Sequence, residues 1–266
     1  MKFMEEEKQM IKKENIFPIG IGTFRIDLNE KAKSMNALEL GQNYIDTSHL
    51  YENGKVMAFL GEFINQVGRD NIFITTKIEP TVEKITDIEE QLNKYLEIMN
   101  RMVEIGKAKT LGLSNSTLEQ LKEVHSNYPI SIYEGIYNLE CKINEDIGII
   151  EYCKNNHILF CAYQPLRRNR TANKNYPLLV ELANKYNKTQ NQIILNWILK
   201  EKSINILIKT TNVDRIEENI ESLNFEINKE DYDKLNMFRA KEFDDLEIDW
   251  QGNGGVTIDQ VANHFG

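Results

Sequence analysis

Four short apolar segments of this chain each end in residues that could do chemistry. Asp46 and Tyr51 lie in YIDTSHLYENG, Lys77 closes NIFITTK, Ser114 and Asn115 close AKTLGLSN, and Lys209 stands in INILIKTTN. A Tyr, a Lys and an Asp brought together suggest an acid for a carbonyl. A free phenol, with a pKa of about 10, is a poor proton donor near neutrality. A close ammonium favours the phenolate and lowers that pKa, and a carboxylate beside the lysine fixes it in place. Taken singly, Asp46 and Lys77 could equally form an ordinary salt bridge, and a lone tyrosine such as Tyr51 more often packs than reacts. Lys209 and Arg215 make a second group. Arginine offers a planar fork to a phosphate and lysine a point charge, with Thr210 as a hydroxyl donor between them.

The elements that must position these residues alternate in type. Runs rich in Ile, Val, Phe and Tyr recur at 19–24, 43–48, 72–77, 108–114, 131–137, 158–163 and 204–209. Segments of helical apolar spacing, at 118–125, 143–152, 193–199 and 213–223, lie between most of them. Continuous apolar strands separated by amphipathic helices predict a parallel sheet covered by helices. In a barrel of that kind the C-terminal strand ends form the rim where chemistry is done, and the candidate residues stand there. Residues 27–29 and Thr189 read as helix entries, and Asn228 opens a last helix. The segment 243–266 has weak periodicity and reads as a rim-crossing tail on one domain of 1–266.

One inter-strand segment, 81–107, does not fit. Its apolar residues, from Ile85 through Leu96 to Val103, form an unbroken stripe at helical spacing closed by Gly106. Some 20 residues of helix span about 30 Å, longer than one return across a barrel. The segment either forms one long helix or breaks near Asn93 and Lys94 and doubles back; alternatively, the sheet is left open between the third and fourth runs. The part of the stripe at 99–103 reads as core.

Composition sets outer bounds. A net charge of −9 argues against a nucleic-acid groove or an anionic membrane surface as the main partner. No apolar run approaches the roughly 18 residues of a membrane span. The opening MKFMEEEKQMIKKEN is too charged for the apolar core of a signal peptide, so a cytoplasmic protein is expected. Cys141, Cys153 and Cys161 lack metal-ligand spacing and the four histidines are scattered, so no metal is assigned.

In order along the chain, these segments resemble the aldo-keto reductase family, whose fold is an eight-stranded (β/α) barrel of the TIM type. IGIGTF resembles the family's G-x-G-T-W, which implies cofactor contact for Gly22 and Thr23 and a pocket wall at Phe24. YIDTSHLYENG and FITTK imply Asp46, Tyr51 and Lys77 as catalytic residues, with His49 on the pocket wall. GKAKTLGLSN implies that Ser114 and Asn115 hold a nicotinamide carboxamide, a task in which the family's glutamine falls here on Glu134. CAYQPL is similar to A-Y-S-P-L, with Tyr163 stacking on the nicotinamide and Gln164 and Leu166 beside it. IKTTNVDRIEEN matches the adenosine-phosphate segment through Lys209, Thr210, Arg215, Glu218 and Asn219. The family also carries a fourth strand ending in a catalytic histidine before GKAKTLGLSN, and this chain has neither.

The resemblance therefore implies an NADPH-dependent reductase of small aldehydes and ketones, impaired or inactive for want of the histidine. A non-catalytic NADP(H)-binding sensor or partner subunit of the same fold is the alternative. A barrel lyase using Lys77 as a Schiff base is a third reading, but it leaves LGLSN and KTTNVDR unexplained.

Overall fold

A computed structural model of the protein describes residues 16–28, 37, 40–78 and 88–240, with the side chains of 88–93 left aside. The expected helix entry at 27–29, the residues at 79–87 and the tail at 243–266 fall wholly or partly outside these residues.

The seven expected runs form seven strands: β1 Ile19–Gly22, β2 Tyr44–Asp46, β3 Phe73–Thr75, β4 Leu111–Ser114, β5 Ile130–Ile136, β6 Leu159–Tyr163 and β7 Ile204–Ile208. All the pairings are parallel, in the order β3-β2-β1-β7-β6-β5-β4. The principal helices are α1 Lys55–Val67, α2 Ile88–Glu104, α3 Leu118–Asn127, α4 Ile149–Asn155, α5 Pro177–Tyr186, α6 Gln190–Leu199, α7 Val213–Glu221 and α8 Lys229–Met237.

Side chains alternate across each strand with period two. On β6, Phe160 and Ala162 face the helices and join the main core with Trp197 of α6. Leu159 and Cys161 face the other way and meet Tyr44 of β2, Ile132 of β5 and Leu207 of β7 in a separate inner cluster. β2 and β5 stand four places apart in the order, yet the Tyr44 hydroxyl lies 3.4 Å from Glu134 Oε1 on β5, which requires the sheet to be curled into a barrel. Gly20 makes room for this interior: a Cβ there would stand 2.5 Å from the Tyr44 ring and 2.8 Å from Leu207.

The barrel is open between β3 and β4, the two ends of the sheet. No strand occurs between them among the described residues; α2 runs unbroken through Asn93 and Lys94, so the chain does not double back there. Leu96 of α2 is buried, and Met99 and Val103 pack against the main core. Met102, expected in that stripe, is 40% exposed, because the helix turns only one face to the sheet. Near the N-terminal strand ends the seam is narrow. There Lys109, just before β4, lays its ammonium 5.3 Å from the Phe73 ring centroid on β3.

Local sequence accounts for several helix starts. Thr117 and Thr189 each form a reciprocal capping box, with Gln120 and Gln192. Asn212 and Asn228 cap α7 and α8 through their side-chain oxygens. The helix expected over 143–152 is divided at Gly148, whose left-handed φ of 83° ends one short turn, Ile143–Asp146, and starts α4. Among the described residues no helix is long and apolar enough to cross a membrane.

Candidate active site

At the C-terminal end of the barrel interior the side chains become polar. Register places Asp46 on β2 beside Gly22 on β1 and Thr75 on β3. Both the amide and the hydroxyl of Thr23 donate to the carbonyl oxygen of Asp46, at 3.1 and 2.8 Å, which locks the strand end under the carboxylate. Lys77, two residues beyond β3, extends inward and ion-pairs with Asp46 Oδ1. Its Nζ also lies 3.0 Å from Glu134 Oε2, on β5. One ammonium therefore bridges two carboxylates from different walls of the barrel.

Tyr51 stands at the start of a tight turn, Tyr51–Gly54, in which Glu52 and Asn53 take left-handed backbone angles. Its ring lies 5.8 Å from Lys77 Nζ and 5.2 Å from the Phe24 ring, centroid to centroid. His49 Nδ1 is 3.0 Å from the Lys77 carbonyl oxygen, so the histidine borders the group and holds the lysine backbone. The structure thus brings together Asp46, Lys77, Tyr51, Phe24 and His49. The other described histidines lie elsewhere: His125 contacts Tyr152 at 2.9 Å, and His157 precedes β6 at its opposite end.

The charges balance differently from the expectation. Burial pushes the Tyr51 phenol up, Asp46 adds to the rise, Lys77 opposes it and Glu134 raises it again, leaving it at about 12. Lys77 was expected to lower this value. It does pull downwards, but desolvation and two nearby carboxylates outweigh one ammonium. Burial works against the Lys77 charge, yet Asp46, Glu134 and Tyr51 together hold the ammonium above the ordinary lysine range. Asp46 lies well above the usual carboxylate range: burial is the first cause and the charge of Glu134 the second, against the pull of Lys77.

Sequence reasoning missed a second layer. Thr75 donates to the Tyr44 hydroxyl at 2.8 Å, and that hydroxyl lies 3.4 Å from both Glu134 Oε1 and Cys161 Sγ. A period-two reading could have found part of it, since Tyr44 and Thr75 sit two residues before Asp46 and Lys77 and share their strand face.

The expected cofactor residues form two further groups. Asn115, left-handed at φ 56°, accepts from the Tyr163 hydroxyl at 2.7 Å, and its amide donates to the carbonyl oxygen of Glu134 at 3.2 Å. Ser114 beside it is exposed. They do not cap α3, a task that falls to Thr117. Gln164 is also left-handed, at φ 52°, and Leu166 packs on the main core. The Glu134 side chain, for which the sequence pattern implied contact with the carboxamide, is engaged with Lys77 and Tyr44. At the end of β7, Lys209 is exposed and donates to the Arg25 carbonyl oxygen at 2.9 Å. Thr210 accepts from the Asn212 amide at 3.2 Å, and exposed Arg215 stands in the first turn of α7. Glu218 accepts from the Thr189 hydroxyl at 2.5 Å, and Asn219 is buried. Glu218 is thereby tied to the start of α6.

The fold and site together are a curled parallel sheet with a Lys–Asp pair and a tyrosine at its C-terminal rim. A profile of the Aldo/keto reductase family matches residues 18–102 and 80–240, and the two stretches overlap over 80–102, which takes in most of α2. The chain is 26% identical over 250 residues to glyoxal reductase of Bacillus subtilis, covering 84% of this chain and 89% of the relative. It is 27% identical over 297 residues to aldo-keto reductase family 1 member C18 of Rattus norvegicus, covering 84% and 91%. Among solved structures, a thermostable aldo-keto reductase in complex with the inhibitor epalrestat superposes with a TM-score of 0.74 at 25% identity, over 83% of this chain and 94% of that one. An aldo-keto reductase from Klebsiella pneumoniae in complex with NADPH gives 0.71 at 18% identity, over 83% and 90%. The chain belongs to the aldo/keto reductase family of oxidoreductases.

Proposed function

We propose that this protein reduces small aldehydes and ketones to alcohols with NADPH, Tyr51 serving as the proton donor. The observation that carries the reading is the Asp46–Lys77 ion pair with the Tyr51 ring against it, at the rim where a barrel does its chemistry. A relative named for glyoxal, a small dialdehyde, supports the substrate class. Ser114, Asn115 and Tyr163 are suited by type and place to hold the nicotinamide end of the cofactor, and Lys209, Thr210 and Arg215 to hold a 2′-phosphate at the start of α7. When bound, the nicotinamide supplies the hydride.

The protein's own part is protonation. Tyr51 carries its proton throughout the neutral range and delivers it from the phenolic oxygen to the carbonyl oxygen as charge builds there. Lys77 stabilises the phenolate left behind, and Asp46 keeps Lys77 in place. Phe24 and His49 wall the approach. The Schiff-base alternative is disfavoured, because a lysine held as a cation by two carboxylates is a poor amine nucleophile.

The barrel open between β3 and β4, where no strand stands among the described residues to carry a further rim group, supports the second reading, a nucleotide-binding protein with little or no turnover. NADPH oxidation against a broad panel of aldehydes and ketones, with nucleotide binding measured alongside, separates the two. Turnover supports the reductase; tight NADPH binding with no turnover on any carbonyl supports the sensor.

A further inference from the structure

We infer that Glu134 is a positioning residue of this reductase, holding the Lys77 ammonium from the barrel wall opposite Asp46 and fixing its charge. The inference rests on the reductase reading for its functional meaning. The geometry stands without it.

Glu134 is 4% exposed and both of its oxygens are engaged: Oε2 lies 3.0 Å from Lys77 Nζ, and Oε1 lies 3.4 Å from the Tyr44 hydroxyl. That hydroxyl is itself held by Thr75, the last residue of β3, two residues before Lys77. Glu134 is therefore tied to β2 and β3 from across the interior. The register on β5, opposite Ser114 of β4 and Cys161 of β6, aims its side chain inward.

The titratable groups facing this point are Tyr44 and Asp46 from β2, His49 and Tyr51 from the following turn, Lys77 after β3, and Cys161 and Tyr163 from β6. Among those that act on Lys77, Asp46 and Glu134 supply the negative charge, and the Lys77 ammonium lies between them. With Asp46 alone the ammonium would have one anchor on the β2 wall. With both it is clamped at the height of the Tyr51 ring.

The substitution Glu134→Gln tests this, since it keeps shape and the Tyr44 contact while removing the charge. Reductive methylation at fixed pH, quantified by peptide mass spectrometry, reads the neutral amine fraction of Lys77 against exposed Lys107 as an internal reference. Losing one close carboxylate should lower the Lys77 pKa by about one unit, so Lys77 should label about tenfold faster relative to Lys107. The alkaline limb of kcat/KM against pH should move lower in parallel. An unchanged or slower labelling ratio would overturn the assignment. Tyr44→Phe, which frees Glu134 from β2 but leaves its charge, should label much closer to wild type than Glu134→Gln. A Tyr44→Phe ratio as high as that of Glu134→Gln would assign the effect to packing instead and overturn the proposal. Wild-type protein that turns over no carbonyl would overturn the reductase reading, while the labelling ratio would still decide the role of Glu134.

Discussion

Replacing Lys77 with Met removes the one ammonium shared by two buried carboxylates. Asp46 and Glu134 are 7% and 4% exposed, so neither can turn to solvent for compensation. Breaking a buried ion pair by removing one partner costs about 3–5 kcal/mol, because the remaining charge is left unpaired. In a protein of this size each kcal/mol moves Tm by about 2–4 °C, so a drop of roughly 6–20 °C is expected at neutral pH. The pH dependence follows from the direction of the Asp46 shift. Its folded pKa already lies above the unfolded value, so the stability it contributes is complete in acid and is lost as pH rises through the folded pKa. Without Lys77 that folded pKa moves higher still. The deficit of Lys77→Met should therefore be largest at high pH and shrink as pH falls and the carboxyl takes up its proton. Thermal melts followed by circular dichroism at high and at low pH measure it. A variant as stable as wild type at neutral pH, or a deficit equal at the two pH values, would refute the buried triad.

The phosphate assignment predicts that Arg215→Ala weakens NADPH binding tenfold or more while leaving NADH unchanged. A charge-assisted contact contributes about 1.5–3 kcal/mol, and about 1.4 kcal/mol is tenfold. Fluorescence titration of both nucleotides checks this, and equal losses would move the phosphate elsewhere. Gly20→Ala should destabilise by about 1–3 kcal/mol in urea unfolding, because its Cβ would overlap the Tyr44 ring. Full stability there would mean that the interior has slack the packing does not show.

Much of this fold is written locally. The seven strands are apolar runs bounded by turn residues, and Thr189 and Asn228 announce their helices by capping chemistry that involves only the next three residues. The stripe from Leu96 to Val103 likewise announces α2, and its continuity excludes a strand within it. Gly148 could have been read as a break, since a glycine inside a helical pattern marks a place where the backbone can reverse hand. The site was legible only in part. Asp46, Tyr51 and Lys77 each stand near a strand end, so the topology alone brings them together. Glu134 could not be paired with Lys77 from sequence, because that contact depends on the curl of the sheet across an interior open at β3 and β4. The acidity of the Tyr51 phenol is not legible in sequence for the same reason: its balance depends on burial and on a second carboxylate, and neither is a local property.

Transfer of deuterium is the measurement closest to the central claim. The protein is incubated with a small aldehyde and NADPH carrying deuterium on the transferable position of the nicotinamide, and the alcohol is examined by mass spectrometry. Wild type should yield singly deuterated alcohol. Tyr51→Phe should yield it about 10²–10⁴-fold more slowly, the usual worth of a general acid, with nucleotide affinity intact. Absence of deuterated alcohol from wild type, or equal rates from the two proteins, would contradict the account.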